Sequence, residues 1–303
     1  MNILVIKQTS LGDVLHATGH VRAIKQYFPD SHVTLLTADT SRAIFSRNPH
    51  VDEIISFERY RVKRDWWRRP GWTLGHFADT VRRVRARHFD LAIDLQGRWK
   101  SVLFLYAARA GRRYVKGNWP FLAGFRNRHL HALAEMDGVL RLAGIPATDT
   151  RMEFFTSQDA ADAAETVLRE RGWNGTPFVV VSPFTRWPSK NWSMARYAEL
   201  LRGLPNDVPV VVSGAGDDAS RVGDLVSSSS AINLCGVLDL EQFAAMVGKA
   251  RAMISGDSFA MHVAAACGTP VVALFGPTAE SRVGPVGDRA INLRADVGCR
   301  VCY

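Results

Sequence analysis

Polar residues between two apolar runs form the most informative segment of the chain. The runs 252–254 and 271–275 predict two strands, and the small residues of 259–267 predict a helix between them. Asp257 and Ser258 would begin that helix. Because the unpaired N–H groups and the dipole at such a helix entrance favour negative charge, the segment predicts a phosphate or pyrophosphate site.

Asp13 lies in a second polar turn, Lys7-Gln-Thr-Ser-Leu-Gly-Asp13, directly after the first apolar run. A helix is predicted from Val14 onwards. An acid at the carboxyl end of a strand is where an active-site residue is expected, and the alternative is that Asp13 only caps the helix. The turn is neither a Walker A loop nor a Gly-x-Gly-x-x-Gly fingerprint.

Lys190 lies in a third such loop, 182–192, which follows a predicted strand and leads into a predicted helix around 195–201. A cation at a strand end suits a diphosphate leaving group, whereas a solvated surface lysine is the alternative. His262 lies where it would touch a phosphate or a sugar, but a lone histidine in a helix of small residues is more often a hydrogen-bonded core residue.

The sequence predicts no metal site. No Asp-x-Asp pair occurs, so a carboxylate clamp for a divalent ion on a diphosphate is not indicated. Cys299 and Cys302 have the spacing of half a metal site, but no second pair follows them, and two free thiols are favoured.

Positive charge is concentrated in the first half of the chain. Residues 1–150 hold 24 Lys and Arg against 13 Asp and Glu, a balance of +11, whereas residues 151–303 hold 14 against 16. The segment 59–69 mixes these cations with tryptophans, a composition that binds anionic sugars, membrane surfaces or single-stranded nucleic acid. A solvated helix face with tryptophan packed beneath it is the alternative, and no recognisable nucleic-acid-binding motif accompanies the charge.

The elements that must position these residues alternate between strands and helices. In both halves, short apolar strands are followed by amphipathic helical patterns, which predicts an α/β protein with two Rossmann-like domains. Turn-forming residues at 144–150 and the change in charge balance place the boundary there, with domains of 1–150 and 151–303. Ligands of such sheets bind beyond the carboxyl ends of the strands, so the chemistry is expected in a cleft between the two domains.

Composition supports a folded, intracellular protein. The chain has 303 residues, 47% of them hydrophobic and 22% charged, and only four cysteines, which fits a reducing cytoplasm better than a disulfide scaffold. The first residues lack a basic leader, and no apolar run reaches the length of a membrane span. A soluble protein is therefore predicted, and this prediction is compatible with binding to a membrane surface.

With these segments in place, the chain resembles the family 9 glycosyltransferases, the lipopolysaccharide heptosyltransferases, along nearly its whole length. Four motifs in the same order carry the resemblance: the run 3–16, Asp94-Leu-Gln-Gly97, the loop 183–192 ending in Lys-Asn-Trp, and Asp257-Ser258 with His262 and Gly276-Pro-Thr278.

The resemblance implies a glycosyltransferase B-type fold and a metal-independent, inverting transfer without a cofactor. ADP-heptose would be held by the C-terminal domain, and the inner core of lipopolysaccharide, at Kdo or heptose, by the basic N-terminal domain. Asp13 would be the general base and Lys190 the partner of the donor diphosphate. Donor contacts are predicted at Thr9, Ser10, Thr185, Asp257, Ser258 and His262. The concentration of positive charge in the first half predicts acceptor contacts in the basic segment, at Arg59, Arg61, Lys63 and Arg64.

Two departures from the family pattern accompany this prediction. Phe259 stands where the family usually has glycine, and its bulk would crowd a backbone N–H that approaches the nucleotide. The family also usually ends in a helix that crosses back to the first domain, whereas this sequence stops at Tyr303, so we expect either a truncated sequence or different interdomain packing.

The sequence therefore predicts a cytoplasmic heptosyltransferase that is peripherally associated with the inner membrane and does not bind nucleic acid. Two alternatives stay open. One is another nucleotide-sugar transferase or epimerase of the same fold, and the other is a non-catalytic protein that binds nucleotide sugars or nucleic acid.

Overall fold

The computed structural model describes residues 1–227, 231–295 and 301. The chain folds as two compact units, Met1–Met152 and Glu153–Tyr303. Each unit contains a six-stranded sheet in which every pair of neighbouring strands is parallel.

The first unit orders its strands β3-β2-β1-β4-β5-β6. These are β1 (Asn2–Ile6), β2 (His32–Ala38), β3 (Glu53–Phe57), β4 (His88–Asp94), β5 (Arg109–Lys116) and β6 (Ala123–Phe125). The helices are α1 (Leu11–His16), α2 (Thr18–Tyr27), α3 (Arg42–Phe45), α4 (Arg59–Asp65), α5 (Pro70–Arg85), α6 (Trp99–Ala107) and α7 (Ala132–Leu142).

The second unit repeats this order as β12-β11-β10-β7-β8-β9. Its strands are β7 (Val179–Ser182), β8 (Val210–Val212), β9 (Ile232–Asn233), β10 (Ala252–Gly256), β11 (Val271–Phe275) and β12 (Ala290–Arg294). Its helices are α8 (Gln158–Glu170), α9 (Met194–Arg202), α10 (Gly223–Ser227), α11 (Leu240–Lys249), α12 (Phe259–Ala266) and α13 (Glu280–Val283).

The central strands are apolar because helices cover both of their faces. Ile3 on β1 pairs with Val33 on one side and Leu91 on the other, and all three are fully buried. Continuous apolar strands of this kind are typical of parallel sheets, whereas alternation would leave polar side chains in the core. The predicted α/β class with two Rossmann-like domains follows from these runs and is confirmed.

Strand order places a crevice at the same point of each sheet. Strand β1 lies between β2 and β4, and β7 lies between β8 and β10. The connections that leave the two central strands run to opposite sides, so a gap opens beyond their carboxyl ends, where ligands of doubly wound folds bind. The loops after β1, β4, β7 and β10 are the ones that carry the polar motifs of the sequence.

The structure differs from the sequence-based prediction at weakly patterned elements. Strands β3, β5, β6 and β12 were not predicted, because most of their side chains are half-buried or exposed and β5 is rich in arginine. Helix α1 begins at Leu11 rather than Val14, because the Asp13 carboxylate accepts the Ser10 N–H and so caps the helix three residues earlier.

Two further observations bear on predicted properties. The longest described helix, α5, has 16 residues, and among the described residues no helix is long and apolar enough to cross a membrane. Cys235 and Cys267 are free thiols, and burial raises their pKa to about 11 and about 12. Cys299 and Cys302 lie outside the described residues.

Gly97, in the loop after β4, is expected to be intolerant of a side chain. Its φ is 63°, and an added Cβ would lie 1.8 Å from the Lys116 carbonyl oxygen. Gly97→Ala should therefore lower the melting temperature, since the left-handed backbone alone costs an L-residue about 1–2 kcal/mol.

Gly75 provides the matched control, because it lies inside α5 with no atom within 4 Å of an added Cβ. Gly75→Ala should raise the free energy of unfolding by roughly 0.5–1 kcal/mol. Thermal unfolding of both variants checks the pair. A Gly97→Ala protein that melts at or above the wild-type temperature would show that the loop relaxes freely.

Candidate active site

Asp13 lies half-buried in the first turn of α1, beside the crevice of the first unit. Its Oδ2 accepts the backbone N–H and the hydroxyl of Ser10, each at 2.9 Å. Burial raises the pKa of Asp13, but the charge of Lys7 and the two Ser10 hydrogen bonds outweigh burial and hold the pKa below its ordinary value of 3.8. Asp13 therefore caps the helix and is a carboxylate at neutral pH.

Lys7 is the cation that faces this carboxylate. It follows β1, is buried, and donates from Nζ to the Leu95 carbonyl oxygen at 3.3 Å. Burial lowers the pKa of Lys7 to about 8, although the charge of Asp13 acts in the opposite direction. The two groups therefore stabilise each other's charged forms at one edge of the sheet.

The loop after β4 holds the loop after β1 in place. Asp94 Oδ1 accepts the N–H groups of Gln96 at 2.7 Å and Gly97 at 3.0 Å, which closes a tight turn. The side chain of Gln96 then reaches across the crevice, where its Oε1 accepts the N–H groups of Gln8 at 3.3 Å and Thr9 at 3.0 Å. A single amide side chain thus fixes the backbone that leads into α1.

Three more ionisable groups border this crevice. Lys116 ends β5 and forms a 2.8 Å ion pair with Glu135 on α7. The charge of Lys116 also lowers the pKa of both Lys7 and Asp13, so it lies near enough to act on them. Asp94 is fully buried, and burial raises its pKa to about 6 against the hydrogen bonds from Ser101 and the Gln96–Gly97 turn.

The crevice of the second unit joins two of the predicted donor residues in an ion pair. Lys190 ends a short 3-10 turn, Pro188–Lys190, after β7, and its Nζ lies 2.7 Å from Asp257 Oδ2. Asp257 follows β10, is buried, and also accepts the hydroxyl of Thr278 from the loop after β11. Loops from three neighbouring strands therefore meet at one carboxylate.

Thr185 fixes the loop that carries this lysine. Its N–H donates to Asn191 Oδ1 at 2.8 Å, and its hydroxyl donates to the Trp187 carbonyl oxygen at 2.8 Å. The loop packs closely on the end of β10, since a Cβ added to Gly256 would lie 2.9 Å from the Thr185 methyl group. Thr185 therefore holds the loop as well as lying beside the predicted donor site.

Helix α12 begins as the sequence predicts, at Ser258. The Ser258 hydroxyl accepts the Ala260 N–H at 3.4 Å and forms a 3.2 Å hydrogen bond with the Ser255 hydroxyl. Phe259, the departure from the family pattern, is half-buried at the first helical residue. His262 is buried one turn further along the helix.

The first part of the basic segment forms α4, and two of its four nominated cations are already paired with neighbouring acids. The Arg61 guanidinium lies 3.1 Å from Glu58 and 4.2 Å from the centre of the Trp72 ring. Arg64 lies 2.8 Å from Asp65. Arg61 therefore ties α4 to α5, in addition to any contact with an acceptor.

Comparison with known proteins identifies the family. Residues 78–303 match the family described as Glycosyltransferase family 9 (heptosyltransferase). The chain belongs to glycosyltransferase family 9. It is 27% identical to lipopolysaccharide heptosyltransferase 2 of Salmonella typhimurium, an alignment that covers 98% of this family 9 enzyme and 89% of the relative.

Solved structures of the family share the fold of this enzyme. A glycosyl transferase family 9 protein from Veillonella parvula superimposes with a TM-score of 0.85 at 22% identity, covering 97% of this chain and 86% of that one. The E. coli heptosyltransferase WaaC, solved with ADP, superimposes with a TM-score of 0.81 at 20% identity, covering 100% and 95%. The predicted glycosyltransferase B-type fold and the predicted glycosyltransferase activity are confirmed.

Within each unit of this family 9 enzyme, the structure brings most of the nominated residues together. Thr9 and Ser10 lie in the loop that leads into α1, which carries Asp13, and Lys190 and Asp257 are in contact. The roles assigned to these residues, to Thr185, Ser258 and His262, and to the four cations of α4 stay predictions.

Several residues of the two crevices received no role from the sequence. Lys7, Gln96 and Thr278 lie inside motifs that resemble the family, so their position was visible but their hydrogen-bond partners were not. Lys116 and Glu135 carried no local signal, because their pairing joins β5 to α7 and neither lies in a recognised motif.

Gln96 is expected to act as a positioning residue for this enzyme. Gln96→Leu removes the acceptor of the Gln8 and Thr9 N–H groups, so the loop to Asp13 should loosen and sugar transfer should fall about tenfold or more. Gln96→Glu keeps carboxyl oxygens at the same place and is expected to retain more activity. The kcat and the melting temperature of both variants are measured. If Gln96→Leu transfers as fast as Gln96→Glu at equal stability, the amide does not position the loop.

Proposed function

We propose that this enzyme transfers heptose from ADP-heptose to the inner core of lipopolysaccharide, at a Kdo or heptose residue, with inversion and without a metal ion. The first unit would bind the acceptor and the second the donor. The names of the relatives, lipopolysaccharide heptosyltransferases, support this acceptor class, and the neighbour solved with ADP supports an adenine nucleotide. The enzyme would act in the cytoplasm, at the surface of the inner membrane.

The ionised Asp13 beside Lys7 is the observation on which the proposal depends. A carboxylate at the strand end of the first crevice would accept the proton of the acceptor hydroxyl while the oxygen attacks the anomeric carbon of the heptose. Because its pKa is held low, the base is available at any pH near neutrality. One displacement at that carbon inverts its configuration.

The second crevice would stabilise the leaving group. When the bond from the anomeric carbon to the diphosphate oxygen breaks, negative charge develops on ADP. Lys190, already oriented by Asp257, and the N–H groups at the start of α12 would receive that charge. The Thr185 hydroxyl, which donates to the Trp187 carbonyl oxygen, and the Thr278 hydroxyl, which donates to Asp257, would hold the surrounding loops in place. Positive charge at the diphosphate would then come from the protein's own groups, without a metal ion.

Asp13→Asn tests the base. Asparagine retains an oxygen that can accept the Ser10 N–H, so the fold should persist, whereas loss of the proton acceptor should lower transfer by roughly a hundredfold or more. Transfer is measured by mass spectrometry with ADP-heptose and truncated core acceptors, and ADP binding by calorimetry. Asp159→Asn, in the first turn of α8, is the matched control.

The same assay separates the proposal from its alternatives. Turnover of a UDP-sugar in preference to ADP-heptose would contradict the proposed donor. Formation of an epimerised sugar without transfer would show that the enzyme is an epimerase. Turnover that EDTA abolishes and Mg²⁺ restores would contradict the metal-independent mechanism. An Asp13→Asn enzyme that keeps transfer within about threefold of wild type would leave Asp13 as a helix cap only.

Lys190→Ala tests the donor site. A charge-assisted contact to a phosphate contributes about 1.5–3 kcal/mol, so the dissociation constant of ADP should rise roughly ten- to hundredfold. Lys249→Ala is the matched control, because Lys249 also forms a 2.7 Å ion pair in the second unit, with Glu165. Equal ADP affinity in the two variants, measured by calorimetry, would remove Lys190 from the donor site.

A further inference from the structure

Helix α6 exposes an apolar face that does not serve the core. Trp99, Leu103 and Tyr106 are spaced four and three residues apart, which places them on one side of the helix, and all three are exposed. The opposite side, with Val102 and Phe104, packs into the core. A surface helix normally turns polar residues outwards, so an apolar outer face indicates a surface with a partner.

The loop after β5 adds a fourth side chain to this face. Phe121 is fully exposed, and its φ of 57° is a left-handed backbone conformation that is rare for a bulky residue. Its neighbours Trp119 and Leu122 pack against the core, so the loop is anchored on both sides of the exposed ring. The Tyr106 hydroxyl donates to the Pro120 carbonyl oxygen, which holds Phe121 beside α6.

Cations border the same face. The Lys100 ammonium lies 5.2 Å from the centre of the Trp99 ring. Partial burial lowers the pKa of Lys100. The charges of Arg59 and Lys63 lower it further, because α4 lies close to the start of α6. The exposed Trp67 follows α4 in the chain. Aromatic and aliphatic side chains thus lie beside a group of cations that come from two helices.

We infer that this aromatic-cationic face, formed by Trp99, Leu103, Tyr106 and Phe121 with Arg59, Lys63 and Lys100, docks the enzyme on an anionic phospholipid bilayer. Tryptophan and tyrosine prefer the headgroup region of a membrane, where the ring is apolar and its polar atom stays hydrated. Leucine and phenylalanine enter the acyl boundary, and the cations attract anionic headgroups.

A bilayer fits this face better than single-stranded nucleic acid, which also binds aromatics among cations. Leu103 lies at the centre of the helix face, and an aliphatic side chain gains from burial in hydrocarbon but offers no ring for a base to stack on. The inference rests on the proposed function only in that a lipid-linked acceptor explains why the enzyme would dock, so docking is measured without donor or acceptor.

The test is co-sedimentation of the full chain with vesicles of phosphatidylcholine alone or of phosphatidylcholine with phosphatidylglycerol. The wild-type protein should bind the anionic vesicles, less strongly as salt is added, and bind the neutral ones at least tenfold more weakly. Leu103→Glu with Phe121→Glu should weaken binding to the anionic vesicles at least tenfold. Melting temperatures equal to wild type would show that both substituted side chains remain in solvent.

Leu142→Glu is the matched control. Leu142 is 44% exposed against 42% for Leu103, but it ends α7, which packs beside α2 through the His20–Asp137 contact. It should bind vesicles as the wild type does. The double variant should also retain transfer to a short, lipid-free core acceptor, which separates docking from catalysis.

Three results would overturn the inference. These are wild-type protein that fails to bind anionic vesicles, equal binding by the double variant and the wild type, and equal losses in the double variant and Leu142→Glu. A double variant that binds vesicles normally but loses self-association or binding to an oligonucleotide would assign the face to that other partner instead. Arg59 and Lys63 of this face are also nominated acceptor contacts, so loss of transfer to the lipid-free acceptor would overturn the assignment of Leu103 and Phe121 to docking alone.

Discussion

The parallel register between β1 and β4 determines where the chemistry of the first unit lies. Ile6 pairs with Asp94, so the residues that follow, Lys7 and Leu95, leave the sheet at the same level, and the Leu95 N–H donates to the Ile6 carbonyl oxygen at 3.0 Å. A slip of one residue would turn these side chains to the other face of the sheet. The same strand order in the second unit brings the loops after β7 and β10 together, and both crevices depend on this constraint.

The first crevice contains more buried charge than stability alone would favour. Removing charges from water is costly, and replacing buried ion pairs with apolar side chains often stabilises a protein. Lys7 and Asp13 nevertheless lie close together, and each shifts the pKa of the other towards its charged form. Lys116 and Glu135 add a second pair nearby. We interpret the cost of removing these charges from water as necessary to keep Asp13 ionised in a half-buried site.

Sequence patterns identified the elements whose signal is local. The apolar runs at 3–6 and 271–275 became β1 and β11 because a parallel strand covered on both faces favours a nearly continuous apolar run. Strand β5 was not predicted, since its arginines are exposed or half-buried and interrupt any apolar pattern. Contacts between residues far apart in the chain could not be predicted from local patterns either. The hydrogen bonds between Gln96 and the loop after β1, and the contact of Lys190 with Asp257, form only when the sheets bring these loops together.

The pairing of Arg61 has a consequence for the charge of α4. The sequence of 58–65 contains four cations and two acids, and the acids Glu58 and Asp65 bind the guanidinium groups of Arg61 and Arg64. The Arg61 guanidinium also lies over the ring of Trp72, which stacks on His76, so Arg61 connects α4 to α5. An approaching anion therefore meets the field of about two net positive charges rather than four. Added salt should weaken the association of an anion with this helix less than a count of its four cations implies.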